Sequence, residues 1–123
     1  MTKETDIIKL NLKTDFDPND YFLQASGIIE KCQKKLDAQA LKDCNYYCPM
    51  DTGTLQKSAI INSVIGSGRL VWNTPYALDQ YYNKPNKSHQ KNPNAVYKWC
   101  EVAQAKNQNN WEKLVNDEYN KNN

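Results

Sequence analysis

The hydrophobic period of this chain changes at Pro49, and that change limits the folds open to it. Up to Tyr47, apolar residues mostly recur every three or four positions; from Pro49 to Tyr82 (PMDTGTLQKSAIINSVIGSGRLVWNTPYALDQYY) they do not. A turn at Asp51-Thr52-Gly53 leads into β-branched Ile60, Ile61, Val64 and Ile65. The chain then reverses at Gly66-Ser67-Gly68 and returns through Leu70, Val71 and Trp72 until Pro75 stops it. Two apolar runs divided by a glycine turn predict an antiparallel hairpin. A hairpin alone is marginal in water, so helices on either side are expected to cover it.

The flanks supply that cover. In DIIKLNLK (6–13), Ile8, Leu10 and Leu12 alternate with Ile7, Lys9, Asn11 and Lys13, a strand pattern that predicts a third strand beside the hairpin. Asp17-Pro18 then opens a long helix, with Asp17 as N-cap and Pro18 in the first turn. Its stripe is Tyr21/Phe22, Ala25, Ile28/Ile29, Cys32, Leu36, Ala40/Leu41 and Cys44; Glu30, Lys31, Lys34, Lys35, Asp37 and Lys42 form the opposite, solvated face. Gly27 weakens the early turns by ~1 kcal/mol relative to Ala. Pro49 ends the helix near Tyr46–Tyr47 by disfavouring helical geometry at Cys48. One end of so long a helix is expected to project and to be covered by another subunit.

Within the predicted hairpin, Ile60 and Val64 fall on one face and Ala59, Ile61 and Ile65 on the other. A strand apolar on both faces is normally covered on both. The surplus face is either a twisted, partly exposed strand or a surface that a neighbouring protein covers. Residues 76–82 predict a short helical turn clustering Tyr76, Tyr81 and Tyr82, rings suited to a core or to a contact. NKPNKSHQKNPN (83–94) has no apolar side chain of any size and is an exposed loop carrying Lys84, Lys87, Lys91 and the only histidine, His89. After it, Val96, Trp99/Cys100 and Ala103, then Trp111, Leu114/Val115 and Tyr119, predict two helices with a break at Asn107–Asn110; one continuous helix is the alternative.

Composition narrows the function. The 123 residues suit one domain, 1–123, with frayed ends at 1–5 and 120–123. The net charge of +2 does not demand nucleic acid or a membrane surface, and no apolar run approaches the ~20 residues of a bilayer span. The N-terminal MTKETDIIKL lacks the apolar core of a signal peptide, which predicts a cytosol-like compartment. There Cys32, Cys44, Cys48 and Cys100 are expected as thiols. Their C-x3-C and isolated spacings suit buried small apolar residues better than a four-thiolate zinc site. Nucleophilic catalysis would need a base beside Ser or Cys, yet His89 sits in a polar loop; no H-E-x-x-H, G-x-S-x-G or P-loop pattern occurs. Asp15, Asp17 and Asp20 cluster where a helix start attracts acids for its dipole alone. No enzyme, metal, cofactor or small-molecule substrate is expected.

The order strand, long helix, P-M-D-T-G-T-L-Q-K-S, hairpin, T-P-Y-A, polar loop and terminal helices resembles the minor capsid or neck proteins of tailed bacteriophages and prophages. Pro49, Asp51, Thr52, Gly53, Leu55 and Ser58 carry the likeness, then Trp72, Thr74, Pro75, Tyr76 and Ala77. Asn92-Pro93-Asn94-Ala95, Lys98-Trp99 and Ala103–Ala105 continue it, so it covers most of the chain from about residue 35. What the resemblance implies is a subunit of the head–tail connector, of the tail-completion or connector class, assembled in the host bacterial cytoplasm and located at the head–tail junction of the virion. It further implies a homo-oligomeric ring whose partners are neighbouring connector or adaptor proteins and tail-tube or tail-terminator proteins, with DNA met only in the lumen. The implied fold is a small α+β domain with a long helix packed across an antiparallel sheet, and the residue patterns agree: α+β, a long N-terminal helix on a small antiparallel sheet of about three strands, with two C-terminal helices. Residues expected at subunit or partner contacts are Ile61, Ile65, Tyr76, Tyr81, Tyr82, Lys84, Lys87, His89 and Lys91. A small nucleic-acid-binding or protein-interaction module without catalysis is the alternative.

Overall fold

The alternating segment near the N-terminus forms strand β1 (Ile8–Asn11), with Ile8, Leu10 and Leu12 buried and Lys9, Asn11 and Lys13 exposed. The computed structural model describes residues 7–14, 16, 17, 19–85 and 90–122. The expectations for residues 1–5, Asp6, Asp15, Pro18, Lys87, His89 and Asn123 lie outside that set. β1 runs antiparallel to β2 (Arg69–Trp72) in the register Ile8↔Trp72 to Asn11↔Arg69. The Leu12 N–H extends the ladder by donating to the Gly68 carbonyl at 2.6 Å.

The expected long helix is two helices. Asp20, not Asp17, is the N-cap of α1 (Tyr21–Ser26), accepting from the Leu23 N–H at 3.1 Å; Asp17 instead accepts from the Asn19 N–H. Gly27, at φ +74°, then breaks the helix, since a left-handed residue cannot continue a right-handed turn. α2 (Ile28–Tyr47) ends where expected, with Cys48 extended ahead of Pro49.

The larger correction concerns residues 54–65. They are not a strand. Thr54–Asn62 form helix α3, started by Gly53 at φ +87° and ended by extended Ser63. The decisive spacing is Leu55, Ser58 and Ala59, buried at i, i+3 and i+4; a helix seats all three against the sheet, and a strand would not. Of the hairpin the reversal survives, as a Val64↔Arg69 bridge around Gly66-Ser67-Gly68, and so does the returning arm, which forms β2 and pairs with β1 instead. The fold is therefore α+β with a two-stranded antiparallel sheet rather than three strands.

The short helix after Pro75 forms as expected: α4, Ala77–Tyr82. The C-terminal segment is one helix, α5 (Trp99–Asn122). The polar run does not break it, because Asn107 bonds back to the Ala103 carbonyl at 2.9 Å and Trp111 docks on α2 through Asp43 at 2.6 Å. Residues 120–122, expected to be disordered, belong to that helix. α2 and α5 pack along one another. The main core joins both to the sheet, α3 and α4; a smaller cluster of Leu23, Ile28 and Cys32 lies under α1 and the end of α5, with Phe16 stacked on Tyr119. Among the described residues no helix is long and apolar enough to cross a membrane.

Candidate functional site

The sequence motif around Pro49 builds a seam where four segments meet. Gly53 occupies the left-handed region, and the Thr52 and Thr54 hydroxyls bond one another at 2.8 Å across the start of α3. Leu55 enters the core. The Ser58 hydroxyl donates to the Leu55 carbonyl at 2.6 Å and accepts from the Asn73 N–H at 3.1 Å, fastening α3 to the end of β2. Asn45 accepts from the Trp72 indole at 2.9 Å and donates to the Gln56 carbonyl, so α2, β2 and α3 share one amide. Gln90 accepts from the Met50 N–H at 2.6 Å, and Asn92 donates to the Tyr46 and Cys48 carbonyls. The far side of the polar loop is thereby anchored to the chain around Pro49.

Pro49, Asp51, Thr52, Gly53 and Leu55 line an open groove of about 570 Å³ together with Tyr76, Gln80 and Gln90. The two halves of the motif, distant in sequence, thus face one another. Pro75 is exposed at the end of β2, and Ala77 is buried with its N–H donating to the Thr74 carbonyl.

The surface carries more apolar area than the fold requires. Ile61 is 79% exposed and Val64 68%, and Ile60 and Ile65 join them in a ridge along α3 and the bend after it. Tyr76 and Tyr82 are exposed, as are Lys84 and Lys91. Tyr81 is not a surface residue. Its ring packs edge-on against Trp99 at 4.7 Å, and burial pushes its phenol well above the ordinary tyrosine range. A second exposed pair was missed in the sequence: Tyr21, at 86%, and Phe22 point away from the core, although their spacing placed them on the apolar stripe. The break at Gly27 is what turns them outward.

Residues 23–118 match the family model described as minor capsid protein. The chain belongs to the phage minor capsid protein family. No curated protein and no solved structure matches it. Membership makes this minor capsid protein a structural component of the virion that meets other virion proteins.

The buried ionisable groups of the minor capsid protein serve its fold. Asp37, assigned by spacing to the solvated face of α2, is fully buried. Its carboxylate accepts from the Gly66 N–H at 2.7 Å, the Gly68 N–H at 2.9 Å and the Gln33 amide at 2.8 Å, holding the reversal against α2. Gly68 is fixed by space as well as by φ, since a Cβ there would lie 2.6 Å from the Leu12 carbonyl oxygen. Only the unpaired donors of a Gly-x-Gly turn signalled in the sequence that an acceptor was needed. All four cysteines are buried thiols. Burial pushes the Cys48 and Cys100 thiols well up, and neighbouring Cys44 adds to both shifts. Among the described residues no group of His, Cys, Asp and Glu is arranged to hold a metal ion.

Proposed function

We propose that this minor capsid protein is a subunit of the head–tail connector, of the tail-completion or connector class, closing as a homo-oligomeric ring between the portal side of the capsid and the tail. The observation that carries the reading is the aliphatic ridge Ile60–Ile65, which stays exposed among the described residues. Patches of this kind mark protein contacts. The aromatic and lysine surface around Tyr76, Tyr82, Lys84 and Lys91 is the second contact region, suited to the ring above or below. The sequence likeness of the Pro49–Ala77 motif to neck proteins supports the same assignment.

A role without catalysis fits the carboxylates. Asp37 accepts from two main-chain N–H groups and an amide, and Asp43 from the Trp111 indole and the Gln39 amide. Neither is disposed as a general base facing a substrate cavity. The binding of a short connector subunit is a matter of surface fit, with DNA met only in passage through the lumen.

Electron microscopy of the purified protein, alone and mixed with the products of neighbouring structural genes, tests this. Closed rings, alone or on a connector or tail partner, are the expected outcome. A strict monomer that joins neither overturns the reading.

A further inference from the structure

Two apolar patches of this protein sit in stretches of opposite charge. The ridge of Ile60, Ile61, Val64 and Ile65 lies in a segment, Thr52 to Leu78, that contains Lys57 and Arg69 and no acidic residue. Lys57 is exposed one helical turn from Ile60 and Ile61, and the Lys34 stem lies against Gly66 at the other end of the ridge. Asp37, whose carboxylate accepts from the Gly66 N–H, is buried beneath the turn. Tyr21 and Phe22 lie in a segment, Thr14 to Glu30, that contains four acids and no base. Asp17 is exposed and Asp20 half-buried in the same segment, and each side chain accepts a main-chain N–H bond.

We infer that the α3 ridge of one subunit seats the Tyr21–Phe22 face of α1 from a second copy of this chain. An aliphatic ridge with a basic rim and an aromatic pair with an acidic rim complement each other in shape class and in charge. Each patch alone pairs poorly with a copy of itself, because like-charged rims would meet. A contact between two different surfaces repeats from copy to copy, which is what a closed ring requires. Aromatic residues held in an apolar seat are also the usual carriers of interface energy. The inference rests on the ring reading above and adds which surfaces meet.

The test measures association by sedimentation or native mass across a concentration series, with circular dichroism as the check on folding. Ile61→Lys and Phe22→Glu, both at exposed positions, each weaken self-association by roughly tenfold or more. Combined, they restore most of the loss, since the new charges then face one another; Val64→Lys with Tyr21→Glu provides a second pair. Rescue in either pair supports the contact. Oligomers indifferent to both single changes, or weakened without rescue in both pairs, overturn this contact while leaving the ring reading intact. A wild type that stays monomeric at every concentration and with its virion partners overturns the ring reading and this contact with it.

Discussion

The Trp72–Tyr81–Trp99 cluster and the Ile60–Ile65 ridge are both rich in large apolar side chains, and the fold uses them in opposite ways. Trp72 and Trp99 are fully enclosed, with ring centroids 6.1 Å apart, and elements from both ends of the chain converge on them. The ridge is only a few residues upstream of Trp72, on a helix whose other face, Leu55, Ser58 and Ala59, completes that same core. α3 is therefore a helix with one face packed into its own chain and one apolar face left exposed. The contrast separates residues that make the subunit from residues available to join it.

The strongest way to break the comparison is on the enclosed side. Trp72→Ala removes the ring that packs against Trp99 and leaves the half-buried Asn45 acceptor without its indole donor; a loss of about 3–5 kcal/mol is expected in urea unfolding. Asp37→Ala leaves the Gly66 and Gly68 N–H groups without their acceptor, and a loss of about 2–4 kcal/mol should follow. In hydrogen exchange those two amides should lose protection before the rest of the sheet.

A pH series sharpens the comparison without mutation. Below the ordinary thiol pKa of 9.0, Cys48 and Cys100 are neutral in both folded and unfolded chains. Above it the unfolded chain loses protons that the buried Cys48 and Cys100 retain, so stability falls as pH rises. The slope approaches about 1.4 kcal/mol per pH unit for each such thiol. Denaturation midpoints flat from pH 6 to 8 and declining beyond pH 9 are expected. The smallest effect belongs to the ridge. Ile61→Lys should change unfolding free energy by no more than about 0.5 kcal/mol, because the side chain is already in water.

What was legible in the sequence follows the same division. The β1 alternation, the α2 stripe, its stop before Pro49, the turn at Gly66–Gly68 and the α4 turn all rest on local pattern, and local pattern decides them. Residues 54–62 carry conflicting signals: Ile60 and Ile61, with Val64 and Ile65 just beyond, have strong strand propensity, while the Leu55–Ser58–Ala59 face that makes the helix is carried by less conspicuous side chains. Tertiary packing overrode propensity there. Asp37 was placed in solvent because its partners lie 29 and 31 residues away, beyond any periodicity. Tyr21 and Phe22 were placed in the core because Gly27 reads as a weak helix residue, whereas its left-handed backbone redirects the turn before it. The surplus of apolar area was visible in both readings, although its carrier changed from strand to helix.

The most direct measurement is covalent footprinting of residues 59–66 in the isolated subunit and in the assembled virion. Strong labelling of Ile60, Ile61 and Val64 in the subunit, falling severalfold on assembly while the enclosed Leu70 and Trp72 stay unlabelled in both, is the predicted result. Equal labelling of the ridge before and after assembly would contradict the account.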